Sequence, residues 1–161
     1  MEPAWITEAR IHIGTAEVPG PSTSPVIAGW LHRLRAWWAD DETPWCGVFV
    51  AACIEACGLP LPKNWMRAKT WADWGRRLVL PVPGCIVVFE RTGGGHVGFV
   101  VGVTAQGALL VLGGNQGNKV SIAPFDRSRV LAYVWPSGIP APDTRLAVLD
   151  ARGAQLSANE A

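Results

Sequence analysis

Cys46, His96 and Asn115 are the residues whose types and spacing point to covalent chemistry. Cys46 stands in "DDETPWCGVFVAACIEACG", directly after a Pro-Trp pair and at the head of an apolar run. With Thr43 as N-cap and Pro44 at the first helical position, the sequence predicts a helix over 44–57, closed by Gly58 and followed by Pro60. Cys46 then falls in the first turn, where unpaired backbone N–H groups and the helix dipole favour a thiolate. Asp40, Asp41 and Glu42 oppose that effect, since nearby negative charge disfavours a second anion. The competing reading is structural. Cys46, Phe49, Val50, Cys53, Ile54 and Cys57 form one stripe, so Cys46 also fits as the first residue of a buried helix face. Cys53 and Cys57 are expected to act only as small apolar residues.

A cysteine nucleophile needs a base within hydrogen-bond reach. Of the three histidines, His12 and His32 fall on helices and are expected to be solvated, whereas His96 follows "RTGGG" and opens the strand "HVGFVVGV". Alternation puts His96, Gly98, Val100 and Gly102 on one face, where the glycines leave room for the helix carrying Cys46 to approach. If "TAQG" is the tight turn that follows, Val103 faces Ala108, Gly98 faces Gly113 and His96 faces Asn115. Directly opposed residues share a face, so Asn115 is placed to orient the imidazole, as in a Cys-His-Asn triad. A one-residue slip substitutes Gly114 or Gln116. The alternative for "GGNQGN" is a turn and nothing more, which Gly and Asn favour.

The elements that must position these residues follow two periods. Residues 4–13 predict a short helix closed by Gly14. Ser24 and Pro25 start a second helix, with Ile27, Trp30, Leu31, Leu34, Trp37 and Trp38 on its apolar side and His32, Arg33 and Arg35 on its wet side. A fourth helix is predicted over about 66–78, presenting Trp71, Trp74 and Leu78. From Pro83 the period becomes two. "CIVVFE", "HVGFVVGV", "ALLVLGG", "KVSIAPF" and "VLAYVW" predict five consecutive antiparallel strands, hence an α+β domain over 1–136 with helices on one face of the sheet. The remainder, 137–161, is Ala- and Pro-rich and reads as a linker, a loosely docked arm or a frayed helix.

Composition narrows the function classes. The chain has 161 residues, 49% of them hydrophobic, and a net charge of +1 without a basic cluster, so neither a nucleic-acid groove nor an anionic membrane is an expected partner. No apolar run reaches the ~18 residues of a membrane helix, and "MEPAWITEAR" does not read as a secretion signal. The four cysteines lack a C-x-x-C pair, which argues against a zinc site, and free thiols made in a reducing cytosol fit better than a disulfide framework. No metal or other cofactor is expected.

"DETPWCGVFV", "PGCIVVFERTGGGHVGFVVG" and "LVLGGNQGNKV", in that order, resemble the cell-wall cysteine peptidases of the NlpC and CHAP type, particularly small phage and prophage endolysin-like proteins with a "PWC…GHVG…GGNQ" pattern. "IGTAEVPG…SPVI" and "RAKTWADWG" share the likeness, which covers about 6–135. The resemblance implies a papain-like fold, peptidoglycan as partner and hydrolysis of an amide bond in its stem peptide or cross-bridge. It makes Cys46 the nucleophile, His96 the base and Asn115 the residue orienting the base. In two places the chain departs from the pattern: Cys85 replaces the aspartate of "PGD", and Gly113 stands where many such domains have a glutamate. The second leaves Asn115 or Gln116 as the third member.

Trp45, Asp41 and Gln116 are the expected substrate contacts; Trp45 also fits as core, and Asp41 as part of a solvated acidic loop. Glu17 is a further candidate of the same kind. The expected protein is a monomer made in the cytoplasm and acting on the wall after release, secretion or virion delivery. Two other readings are a non-catalytic phage structural or wall-binding module of the same fold, and an acyltransferase of transglutaminase type.

Overall fold

In the computed structural model, residues 2–19, 22–38 and 44–150 are described. Three α-helices, α1 (Ala4–Ile11), α2 (Pro25–Arg33) and α3 (Cys46–Ala56), precede a 3-10 helix (Ala68–Asp73) and six strands. The strands are β1 (Arg76–Leu78), β2 (Ile86–Arg91), β3 (Gly94–Val103), β4 (Leu109–Gly113), β5 (Ser121–Phe125) and β6 (Val130–Trp135). They make one antiparallel sheet in the order β1-β6-β2-β3-β4-β5. The expected α+β class is therefore realised with six strands rather than five. β2 to β5 form the expected meander, but β6 crosses back to pair with β2, and β1 extends that edge. No helix among the described residues is long and apolar enough to cross a membrane.

β1 occupies the end of the stretch expected to be a fourth helix. Only Ala68–Asp73 turns helically, as a 3-10 segment, and Arg76–Leu78 pairs with Tyr133–Trp135. Backbone pairing with β6 outweighs a local helical period of two tryptophans. α2 also ends sooner than its apolar repeat predicts. Its start is as expected, with Ser24 Oγ accepting from the Ile27 N–H. After Arg33, however, Arg35 adopts a left-handed conformation (φ 59°) and the Ala36 N–H donates to Leu31, which turns the chain away. Trp37, expected on the buried stripe, is 84% exposed.

α3 begins two residues later than expected, with Trp45 in the cap position and Cys46 as the first helical residue. Thr43, the expected cap, lies outside the described residues, as do Asp40, Asp41 and Glu42. The helix is buried on nearly every side from Cys46 to Ile54, not along one stripe, because α1 and α2 cover the side turned from the sheet. It packs over the face of β3 that carries Phe99, which meets Phe49 edge-on at 6.2 Å. That is not the glycine face from which approach was expected. The space beside Gly98 is taken by Val111 of β4, and that beside Gly102 by Leu149. Gly114 instead admits the helix, since a Cβ there would meet Phe49 Cβ at 2.6 Å and the Trp45 ring at 2.9 Å.

Residues 137–150 run back along the sheet. Val148 bridges Val103 in parallel, with the Val103 N–H donating to Ala147 and the Leu149 N–H to Val103, each at 2.9 Å. Near the N-terminus, Ala16 bridges Lys119, and the Gly14 and Glu17 N–H groups donate to Val120 and Asn118. The 14–17 segment thereby clamps the loop that follows β4, and this loop carries the residue that meets His96.

Candidate active site

β3 holds the site together at its first residues. His96 pairs across to Phe89 on β2, and its ring stacks with Phe125 of β5 (5.2 Å, 10°) and with Phe89 (6.2 Å, 26°). Its Nε2 lies 2.9 Å from Gln116 Oε1. The direction of that bond follows from the other end of the same amide. Gln116 Nε2 donates to the carbonyls of Val111 (3.0 Å) and Ser121 (2.8 Å), so Oε1 is the atom turned to the ring and can only accept. His96 Nε2 therefore carries the proton, and Nδ1 is left with a free lone pair, the form a general base requires.

Asn115 was the residue expected to make this bond; Gln116 makes it. A bulge between Val100 and Gly102 shifts the turn end of the hairpin, so that Val103 faces Leu109 instead of Ala108. Beyond the bulge the expected register returns, with Phe99 opposite Leu112 and Val100 opposite Val111. The ladder then stops, because Asn115 takes a left-handed conformation (φ 59°) that no strand continues. The chain folds over, and Gln116 enters the space that a side chain at position 113 would fill. A Cβ on Gly113 would stand 2.3 Å from Gln116 Oε1 and 3.4 Å from His96 Nε2. Gln116 can reach the ring because Gly113 has no side chain.

Cys46 is 8% exposed and His96 6%. The backbone N–H groups of Val97, Gly47 and Cys46 itself face the sulfur, and Arg91 adds positive charge. These favour the thiolate, but burial outweighs them and pushes the Cys46 thiol up from its ordinary value. The expectation of a resting thiolate at the helix start is therefore corrected: desolvation is the larger effect. Burial likewise holds His96 below the usual imidazole value, against the Gln116 hydrogen bond that raises it; Arg91 and Arg129 lower it further. At neutral pH the pair is a thiol and a neutral imidazole. No hydrogen bond joins them in this arrangement; the Val97 N–H, one residue beyond His96, is the group that ties the sulfur to β3. Cys85 is fully buried, with its thiol pushed up to about 12 by desolvation, and is inert at neutral pH.

The two side chains open onto adjoining clefts. Cys46 faces one of about 630 Å³ bounded by Pro44 and residues 66–70 and 93–95. His96 faces one of about 580 Å³ bounded by the 115–117 turn and β5. Arg91 lines both. Trp45, an expected substrate contact, lines neither: it is fully buried, tilted against Trp30 at 6.2 Å, with Nε1 donating to Glu17 Oε1 at 2.8 Å. Trp45 and Glu17 together tie the start of α3 to the segment that clamps the Gln116 loop. Asp41 lies outside the described residues. Gln116, expected at the substrate, has its amide committed to His96, Val111 and Ser121. Arg91, Phe125 and Arg129 were not anticipated. Phe125 and Arg129 come from parts of the chain remote from His96 in sequence, whereas Arg91 is brought beside it by the tight β2–β3 turn.

A cysteine at a helix start, beside a strand histidine whose second nitrogen is held by an amide oxygen, is a residue set suited to thiol-dependent acyl transfer. A family model described as the CHAP domain matches residues 38–115, a span that includes Cys46, His96 and Asn115. This match supports a CHAP-type peptidase family and, with it, a peptidoglycan-related amidase or peptidase function. No curated protein and no solved structure matches the chain.

Proposed function

We propose that the protein hydrolyses an amide bond in the stem peptide or cross-bridge of peptidoglycan, with Cys46 as nucleophile, His96 as base and then acid, and Gln116 in place of Asn115 as the residue orienting the imidazole. The observation that carries this reading is the bond from His96 Nε2 to Gln116 Oε1, which leaves Nδ1 unprotonated on the strand that also meets the Cys46 thiol. Substrate binding draws the thiol and Nδ1 into contact, as catalytic hydrogen bonds commonly tighten in the complex. The thiol proton passes to Nδ1 while sulfur attacks the carbonyl carbon. His96 returns that proton to the leaving amine as the C–N bond breaks. Water, deprotonated by His96, then releases the acid from the thioester. The Cys46 N–H, first in its helix and free of an intrahelical partner, is the proposed donor to the oxyanion.

The catalytic unit in this proposal is a papain-like domain over 1–136, followed by a tail, 137–161, whose residues 137–150 dock on the sheet. An endolysin-like role within the phage and prophage group of NlpC- and CHAP-type proteins rests on the "PWC…GHVG…GGNQ" pattern. Delivery to the wall through a holin, a secretion system or a virion belongs to the same proposal. The resting thiol, which has no bond to His96, favours one rival, a wall-binding module of the same fold without turnover. Digestion of purified peptidoglycan by the wild type and by Cys46→Ala, with mass spectrometry of the products, separates the two. Wild-type release of stem-peptide fragments, lost by at least ~10³-fold in the variant, is the expected result. Equal release by both proteins removes Cys46 from the mechanism, and the fragment masses identify the bond and distinguish hydrolysis from acyl transfer.

A further inference from the structure

The charge of the cleft on the His96 side is one-signed. Its charged lining consists of Arg91, Lys119 and Arg129 besides His96, without an aspartate or glutamate, in a chain whose net charge is only +1. None of the three has an ion-pair partner among the described residues, although the charge of Arg129 helps hold the neighbouring Asp126 carboxyl low. Arg10, Arg33 and Arg77 have carboxylate partners on the surface; in the neighbouring cleft Lys69 is neutralised by Glu90, which leaves Arg67 as the cation there besides the shared Arg91. One of the three is fixed relative to the reacting ring. The Arg129 guanidinium lies 6.0 Å from the centroid of Phe125, whose ring stacks on His96. Arg91, at the end of β2, stands on the wall shared with the Cys46 cleft.

The chemistry assigns an occupant to each side. An acid that protonates a leaving amine must be within reach of its nitrogen, so the fragment on the amine side of the scissile bond extends into the cleft that holds His96. We infer that this fragment is anionic: the protein selects amide bonds whose amine-side residues carry free carboxylates, and Arg91, Arg129 and Lys119 are the residues that read them. The inference rests on the peptidase reading above and names the half of the substrate which that reading leaves open. Guanidinium groups suit the task because they hold planar carboxylates bidentately and stay charged at every working pH.

Binding tests the inference apart from turnover. Full-length Cys46→Ala protein is titrated by calorimetry with two synthetic stem peptides that differ only in having free or amidated carboxylates on the amine-side residues. The expected result is at least ~10-fold tighter binding of the free acid at low salt, reduced to less than ~3-fold in an Arg91→Gln/Arg129→Gln double variant and weakened by added salt. Lys119→Gln gives a smaller reduction, and because all three side chains are exposed these variants keep the fold. Equal binding of the two peptides overturns the inference, as does discrimination that survives in the double arginine variant, or no binding of either peptide at millimolar concentration. Loss of wall digestion in the wild type bears on the hydrolase reading alone, since the titration requires no catalysis.

Discussion

The imidazole and the thiol are about equally buried, yet their surroundings prepare them to different degrees. His96 has its tautomer set by Gln116, whose amide is itself fixed by two backbone carbonyls, and its ring plane set by Phe125 and Phe89. Cys46 has only backbone N–H groups facing its sulfur, and burial raises its pKa in spite of them. The base is preorganised and the nucleophile waits for it. A helix start is therefore not sufficient to activate a cysteine; the sign of the shift depends on how much water the fold removes with it.

Removing what fixes the imidazole breaks that comparison most directly. Gln116→Ala leaves His96 Nε2 without its acceptor in a buried site and removes one donor each from the Val111 and Ser121 carbonyls, which stay in the β4–β5 ladder. An unpaired buried polar group costs about 1–3 kcal/mol, so both stability and kcat are expected to fall, kcat by about 10²-fold or more. Gly113→Ala reaches the same end by a steric route, because its new Cβ displaces Gln116 Oε1. The expected signature is a loss of kcat with KM little changed, read from stem-peptide cleavage, together with a lower melting temperature. Full activity in both variants would mean that the imidazole needs no orienting partner.

A pH series sharpens the contrast from the other direction. Burial lowers the His96 pKa below its ordinary 6.5, so the acid limb of kcat/KM is expected below that value, where the free enzyme's base becomes protonated. The same group makes stability fall with pH. Beneath 6.5 the unfolded chain takes up a proton that the native site resists; the loss accumulates down to the folded pKa and stops there. For Cys46 the direction is opposite. Its alkylation by iodoacetamide, followed by peptide mass spectrometry, is expected to rise only above the ordinary thiol value of 9.0 in the absence of substrate. Fast modification near neutral pH would show a resting thiolate and place the activation in the helix start after all.

The readable parts of this fold are those fixed by local chemistry. Ser24-Pro25 marks the start of α2, Gly58 the end of α3, and alternation marks five of the six strands, because each depends on residues adjacent in the chain. β1 was hidden, since three residues acquire strand geometry only by pairing with Tyr133–Trp135. The site divides the same way. Cys46 and His96 stand out by type and flanking residues, whereas Arg129 reaches the His96 cleft through the return of β6 beside β2, a crossover without a local signal; Arg91 arrives by the tight β2–β3 turn, which pairs it with Gly94. The hairpin count gave the correct facing pairs at Phe99 and Val100 despite a bulge it did not include. Its extension to Asn115 failed because a strand was continued through "GGN", where the turn preference of Gly and Asn had the stronger claim.

The smallest expected effect follows from that failure. Asn115 occupies a left-handed turn position, and its side chain lines the His96 cleft without a hydrogen bond to the ring. Glycine adopts the same φ without strain, so Asn115→Gly retains the turn and removes only the side chain. The Gln116 amide keeps its partners, and the imidazole keeps its tautomer. Cleavage by this variant is expected within about threefold of wild type, and its stability within about 0.5 kcal/mol, the range of substitutions that touch no buried network. A loss as deep as that of Gln116→Ala would reverse the assignment: Asn115 would then swing onto the imidazole in the working enzyme, and the bond to Gln116 would belong to the resting state alone.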